Sequence, residues 1–177
     1  MLAYVFVLLA IFVRFAIPTH LLGVPFHFVP LAASLLFFGA KMPRKQLRIP
    51  IALFIATDVL LSKLVYHYPF SLDLVVSWAW YAGAIGIGTL LRKNDNLIRV
   101  AGASLLGSVS FFLASNLAVF FAWNMYPKTW AGLVECYTVA LPFFRNGTIA
   151  DMVFALAFFS VPVAIQLLTG KPARQRA

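Results

Sequence analysis

Six long apolar segments separated by short polar stretches constrain the fold of this chain more than any other feature. They cover about residues 2–17, 28–42, 49–68, 72–91, 100–123 and 148–168. A helix needs about 20 residues to cross a bilayer, so the last four are long enough, whereas the first two are expected to be tilted, re-entrant or shielded by protein. The composition is 63% hydrophobic and 11% charged, whereas soluble domains have about 45–50% apolar and about 25% charged residues. We therefore predict an all-α integral membrane protein, a compact bundle of about six transmembrane helices in a single domain over residues 1–170.

Basic residues are grouped in the polar stretches that would lie on one face of such a bundle. One group precedes the third segment, one precedes the fifth, and one forms a tail over residues 171–177; they are Lys41, Arg44, Lys45, Arg48, Arg92, Lys93, Arg99, Lys171, Arg174 and Arg176. Cytoplasmic loops carry the excess of lysine and arginine, so this face, both chain termini and the tail are predicted to be cytoplasmic. A cleaved signal peptide, the alternative for the first segment, would begin with basic residues, and this segment does not. Membrane topology accounts for the formal charge of +9, and no nucleic-acid partner is predicted.

Most of the remaining ionisable residues fall in the half of the bundle opposite the basic face. Asp58 lies near the middle of the third segment, Arg14 lies near the end of the first, and Lys63 and Asp73 follow toward the same outer end. A charge inside a span costs about 2.5–3.5 kcal/mol near its centre, so each needs a partner or a watery cavity. Arg14 is a candidate partner for Asp58. We predict a polar cavity open to the outside and anchored by these four residues, with structural ion pairs as the alternative.

The stretch "TWAGLVECYTVALPFF" is too polar for a comfortable span and too apolar for a solvated loop. As a helix it would be amphipathic with an aromatic edge, which suits the headgroup zone of a bilayer. The preceding "YP" and the following "RNG" are typical breaks. We predict a short interfacial helix in the last outer loop that closes the cavity, with an anchored connector as the alternative. The closing residues would be Asn116, Tyr126, Trp130, Glu135 and Tyr137.

Signatures of catalysis and of metal binding do not stand out in the sequence. There is no phosphate-binding loop, no G-x-S-x-G, no H-E-x-x-H and one cysteine, Cys136. His20 and His27 lie in a loop broken by proline and glycine, which is a weak metal signal. They or Cys136 could hold the cobalt of a corrinoid, an alternative that stays open. We predict no enzyme activity, no metal and no cofactor, so energised transport would need a partner or a gradient.

The segments "FFLASNLAVFF" and "YPKTWAGLVECYTVALPFFRNGTIADMVF", with "PFHFVPLAASLLFFGAKMPRK" and "ATDVLLSK", resemble a family of small bacterial membrane proteins described as putative transport proteins. That family is similar to the substrate-binding S components of energy-coupling-factor transporters. The resemblance implies a six-helix bundle in the bacterial cytoplasmic membrane that captures a vitamin-like molecule from outside. S components dock their energising subunit through A-x-x-x-A in the first helix, and this chain departs from that pattern. The matching residues are Asp58, Asn116, Tyr126, Pro127, Cys136, Tyr137, Pro142, Asn146 and Asp151.

The leading hypothesis is a substrate-binding membrane transport protein, S-component-like, that takes a zwitterionic or anionic ring compound such as a vitamin. Trp78, Trp80 and Tyr81 would stack on the ring or belong to the core. Its partners would be the ligand, the lipid bilayer and an energy-coupling ATPase module or a larger membrane complex. The alternative is an accessory structural subunit of a larger membrane complex, whose polar outer face would contact protein. A membrane enzyme using the carboxylates and histidines is the third hypothesis. It ranks last because no spacing in the sequence identifies a nucleophile.

Overall fold

The computed structural model describes residues 1–17 and 29–170, and all regular structure in this part of the chain is helical. The six apolar segments each correspond to one helix, so the predicted all-α class is confirmed. A single 3₁₀ turn, Arg44–Gln46, precedes α3. His20, His27 and the predicted basic tail over 171–177 lie outside the described residues. The helices are α1 Leu2–Ala16, α2 Leu31–Lys41, α3 Arg48–Leu64, α4 Leu72–Thr89, α5 Leu97–Ala122 and α6 Trp130–Thr169.

Two of the described helices, α5 and α6, are long and apolar enough to cross a membrane by length and composition. The apolar stretch of α5 is 22% buried and that of α6 is 17% buried, so most of each surface faces outward. A core helix of a soluble protein would be mostly buried. Large apolar side chains such as Leu106, Phe121 and Ile149 are exposed on these two helices. These features favour association with a membrane.

The short helix α2 lies at the centre of the bundle. Every residue from Ala32 to Ala40 is buried, and α2 packs against α1, α4 and α6. A helix that is apolar on all sides is stable only when neighbours enclose it. With 11 residues it is about 16 Å long at 1.5 Å per residue, too short to span the roughly 30 Å hydrocarbon core of a bilayer. Of the three alternatives given for the second segment, shielding by protein is the one that the structure shows.

Two glycines allow α2 and α4 to approach each other closely. A Cβ atom added to Gly39 would lie 3.1 Å from the Gly88 Cα and nearer still to the Ile85 carbonyl oxygen. A Cβ atom added to Gly88 would lie 3.0 Å from the Leu36 Cα. Ala84, one turn before Gly88 in α4, is also buried. The small residues four apart in α4 therefore mark a helix crossing, as this spacing commonly does in membrane bundles.

The helix α6 runs without a break from Trp130 to Thr169, so the prediction of a separate short interfacial helix is wrong. Its 40 residues give a length of about 60 Å, twice the hydrocarbon thickness. Pro142 lies inside the helix, where its ring nitrogen has no hydrogen to donate to the preceding turn. Contacts with α5 hold the helix on both sides of it: the Tyr137 hydroxyl donates to the Leu113 carbonyl at 2.6 Å, and the Phe112 and Phe144 rings lie 4.5 Å apart.

Basic side chains from the end of α2 and from the loop after α4 lie at one end of the bundle. Arg92 donates to the carbonyl oxygens of Gly39 at 2.9 Å and Met42 at 2.7 Å, at the end of α2. Lys41 forms an ion pair with Asp95. Cations stabilise the carbonyl ends of helices because these carry partial negative charge. The basic loops are therefore both close to each other and attached to the helix ends.

Candidate functional site

A cavity of about 660 Å³ lies among the helices, toward the end opposite the basic loops. All six described helices contribute to its wall, and Ile17 and Val29 also line it. Its volume lies in the range of pockets that enclose small organic ligands, about 300–1,000 Å³. The non-aromatic polar and charged side chains that line it are Arg14, Asp58, Ser77, Ser108, Ser115, Asn116, Thr148 and Asp151.

Asp58 on α3 is the centre of the first polar group in the cavity. Its carboxylate accepts hydrogen bonds from the Trp78 indole N–H at 2.9 Å and the Tyr81 hydroxyl at 2.8 Å. It also forms an ion pair with Arg14 of α1. Asp58 is 5% exposed, and a buried carboxylate is tolerated when paired and hydrogen-bonded. The pairing of Arg14 with Asp58, expected from the sequence, is confirmed.

The Arg14 guanidinium links α1 to α3 through this ion pair, and the hydrogen bonds of Asp58 extend the link to α4. Besides the ion pair, it donates to the Thr57 hydroxyl at 3.2 Å, and that hydroxyl donates to the Phe54 carbonyl at 2.8 Å. The guanidinium carbon also lies 6.0 Å from the centre of the Phe54 ring. The Arg14–Asp58 pair is therefore neutral overall and rigidly bonded, which suits a structural anchor at the cavity wall.

A second polar group faces the cavity from α5 and α6. The Ser108 hydroxyl donates to the Asp151 carboxylate at 2.8 Å. Among the described residues, no basic side chain forms an ion pair with Asp151. The Thr148 hydroxyl oxygen, one turn before Asp151, is buried and has no hydrogen-bond partner in the described part of the chain. Asn116 donates its side-chain N–H to the Phe112 carbonyl at 2.8 Å, which leaves its own carbonyl oxygen as an acceptor.

Aromatic rings form much of the remaining wall. The Trp80 and Phe111 ring centres lie 4.7 Å apart, and the Trp80 indole N–H donates to the Ser110 hydroxyl at 3.1 Å. Tyr81, Phe112, Phe143 and Phe144 also line the cavity. Trp80 and Tyr81 therefore face the cavity, as ring stacking would require, and Tyr81 is at the same time part of the buried core.

Three of the nine residues predicted for the site line this cavity: Arg14, Asp58 and Asn116. The other six lie outside its lining. Trp130 and Tyr137 line a separate shallow depression on the first part of α6. Lys63, Tyr126 and Glu135 line neither of these two pockets. The sixth, Asp73, belongs to a hydrogen-bond network between loops. Ligand binding by any of the nine residues stays a prediction.

Asp73 connects the start of α4 with the end of α5. Its carboxylate accepts from the Tyr68 hydroxyl at 3.2 Å, from the Trp123 indole N–H at 3.1 Å and from Ser71. Burial raises the pKa of the Tyr68 phenol, and the nearby Asp73 charge raises it further. Asp73 therefore has the contacts of a residue that ties two loops together.

Asp151 and Thr148 face the cavity although sequence reasoning did not select them for the site. In the sequence, both lie at the start of the last apolar segment, where a charge or hydroxyl is unremarkable. In the structure α6 begins at Trp130, so both lie in the middle of a helix. A carboxylate in the middle of an apolar helix needs a partner or a function. The energetic cost of a carboxylate in mid-helix could have identified Asp151 from the sequence, but only if the start of α6 had been predicted correctly.

Nothing in the described part of the chain groups three or more histidine, cysteine, aspartate or glutamate side chains in a way that could hold a metal ion. Cys136 is buried, and its Sγ lies 3.6 Å from the backbone carbonyl oxygen of Asn116. The cavity residues offer hydrogen bonds, one uncompensated carboxylate and aromatic faces. Chemically, they can bind and orient an organic molecule.

Comparison with known proteins identifies the family of the chain without assigning an activity. No curated protein and no solved structure shows significant similarity to it. The likeness to S components therefore remains a prediction from the sequence. A family of unknown function, DUF6580, matches residues 1–172. Since this match covers nearly the whole chain, the protein belongs to the DUF6580 family.

Proposed function

We propose that this protein is an integral membrane protein that captures a vitamin-like small molecule in the cavity among its helices, in the manner of an S component. The observation that carries the proposal is the cavity itself, about 660 Å³ in volume and lined by both aromatic and polar side chains. Pockets of this kind, apolar with a few convergent polar groups, are the usual sites of small-molecule recognition.

In the proposed orientation, six helices cross or enter the bacterial cytoplasmic membrane with the basic loops and both termini in the cytoplasm. The support is the grouping of Lys41, Arg92 and Arg99 at one end of the bundle, together with the exposed apolar faces of α5 and α6. Cytoplasmic loops attract such basic residues. The cavity, lying toward the opposite end, then takes its ligand from the outer side.

The proposed role is binding rather than catalysis. Asp58 already accepts three hydrogen bonds or ion-pair contacts, so it has little capacity left to act as a general base. Ser108 donates to Asp151, and the described residues of the cavity lining include no histidine or lysine to activate it. The described residues thus support recognition of a ligand, and energy for its transport would come from an ATPase module or a gradient.

An accessory subunit of a larger membrane complex is the second candidate function. The observation that favours it is the apolar depression on the first part of α6, formed by Phe112, Trp130, Leu133, Val134, Tyr137, Thr138 and Leu141. Trp130 there is 82% exposed, and exposed aromatic side chains often mark protein contacts. A complex of fixed stoichiometry would support this function.

Native mass spectrometry of protein gently purified from its own organism tests the two functions. A bound small molecule on the monomer supports capture, and Asn116→Ala should weaken its retention because it removes a polar group from the cavity wall. Asn124→Ala, an exposed asparagine in the loop after α5, is the matched control and should retain the molecule. A stable heteromeric mass without a small molecule would instead favour the accessory subunit. Equal retention in both variants would remove Asn116 from the site.

A further inference from the structure

We propose that the ligand of the cavity is an organic cation: a flat ring compound with a protonated amine or amidinium group held at Asp151. This rests on the binding function proposed above and names the chemical class of the ligand. It differs from the zwitterionic or anionic compound that the sequence suggested, because the sequence placed Lys63 in the site and the structure leaves it out of the cavity lining.

The charge of the cavity wall favours a cationic ligand. The described lining contains one basic residue, Arg14, and two acidic residues, Asp58 and Asp151. Arg14 and Asp58 neutralise each other in their ion pair. Asp151 is left with a hydrogen bond from Ser108 and no basic partner among the described residues. A carboxylate in such apolar surroundings is stabilised by a cation that enters the cavity.

The hydrogen-bonding groups near Asp151 also suit a ligand that donates. The buried Thr148 hydroxyl has no partner in the described part of the chain, and a hydroxyl oxygen can accept two hydrogen bonds. A protonated amine or amidinium carries two or more N–H donors, which the Asp151 carboxylate and the Thr148 oxygen can accept. Asn116 lies about two turns, or about 12 Å, from Ser108 along α5, so its side-chain carbonyl oxygen would accept a hydrogen bond from another part of the ligand.

The aromatic wall of the cavity also suits a cationic ring compound. Trp80, Tyr81, Phe111, Phe112, Phe143 and Phe144 surround the same space, and aromatic faces attract cations as well as flat rings. A cavity of about 660 Å³ has room for a ring compound of one or two rings. The combination of rings with a single uncompensated carboxylate is typical of sites for organic cations.

Three probes of matched shape test the charge of the ligand: 2-naphthamidine, a cation; 2-naphthamide, which is neutral; and 2-naphthoate, an anion. Their binding would be measured by calorimetry on the whole protein in nanodiscs. We expect the cation to bind at least about tenfold more tightly than the other two, since hydrogen bonds between charged groups exceed neutral ones by about that factor.

Variants of α6 test whether Asp151 causes the preference for the cation. Asp151→Asn should lower the affinity for 2-naphthamidine at least about tenfold and make the three probes bind alike, whereas Asp95→Asn at the basic end should leave the preference unchanged. Thr148→Val should also lower the affinity for 2-naphthamidine, by a smaller factor. Thr138→Val is its control, because the exposed Thr138 hydroxyl donates to the Val134 carbonyl within its own helix. If Asp151→Asn does not fold, Thr148→Val still tests whether the cation binds beside Asp151.

Each outcome decides the proposal. Tighter binding of the cation, lost in Asp151→Asn and weakened in Thr148→Val, supports it. Equal binding of the three probes by the wild-type protein, or a preference for 2-naphthoate, overturns the cationic class while leaving a binding cavity in place. A preference for the cation that survives in both variants would come from the lipid or another surface, and would also overturn it. If none of the probes binds and no small molecule is retained in native mass spectrometry, the ligand class and the binding function fall together.

Discussion

Replacing Gly88 by alanine should destabilise the bundle where α2 and α4 cross. The new Cβ atom would lie 3.0 Å from the Leu36 Cα and closer still to the Leu36 carbonyl oxygen. Both are backbone atoms of the central helix, so they cannot turn away as the end of a flexible side chain could. Overpacking of this kind typically costs about 1–3 kcal/mol, because helices must shift to relieve it.

Gly86→Ala is the matched control, since Gly86 lies in the same helix and an added Cβ would meet no atom within 4 Å. Both substitutions gain the same helix propensity of alanine over glycine, about 1 kcal/mol. That gain cancels when the two variants are compared. The difference in the free energy of unfolding between them should therefore equal the packing cost alone, about 1–3 kcal/mol.

The comparison can be made by unfolding the two purified variants in mixed detergent micelles or by following their thermal denaturation. A change of 1 kcal/mol shifts the melting temperature of a protein this size by roughly 2–4 °C. Gly88→Ala should melt several degrees below Gly86→Ala. Gly39→Ala, which approaches the same crossing from α2, should behave like Gly88→Ala. Equal stability of Gly88→Ala and Gly86→Ala would refute the close crossing of α2 and α4.

Two further perturbations test the buried ion pair and the orientation of the bundle. Asp58→Asn leaves a buried guanidinium without its counter-ion and should lower the free energy of unfolding by about 3–5 kcal/mol. Asp95→Asn breaks a partly exposed pair and should lower it by about 0–1 kcal/mol. Similar losses of stability in the two variants, measured by thermal denaturation, would contradict a structural role for the buried pair. For topology, cysteines placed at Lys45 or Asn124 in a Cys136→Ser background should differ in labelling by a membrane-impermeant maleimide in intact cells. The cysteine at 124 should react from outside and the one at 45 only after lysis, and the reverse pattern would show that the basic end faces outward.

The number of helices and the buried ion pair could be predicted from the sequence because each follows from a strong physical cost. Apolar segments of this length must be enclosed by lipid or protein, which locates the helices whatever their packing. Asp58 within the third apolar segment must find a partner or a watery cavity, and Arg14 is a basic residue near the outer end of the first. The central position of α2 is also implied by its short length and its lack of a polar face.

The rest of the site could not be predicted because it depends on where α6 begins. Proline and the pair Asn146–Gly147 are local break signals, yet contacts with α5 on both sides of Pro142 hold the helix together. Local signals describe the preferences of a short segment, and packing between helices can outweigh them. The sequence of α6 alone contains no information on that packing.

This one helix boundary changed the predicted site in two ways. A break near residue 147 turns the preceding stretch into a lid, so Trp130, Glu135 and Tyr137 become ligand contacts, whereas in the continuous helix they lie outside the cavity lining. The same break places Asp151 in the first turn of a span, where a carboxylate is favourable and needs no explanation. In a continuous helix Asp151 lies more than five turns from the start of α6, and a carboxylate there needs a donor or a cation. The difference between the predicted site and the cavity lining therefore follows from the wrong start of α6. The proposed ligand class depends on Asp151, the residue that this helix boundary brings into the middle of a helix.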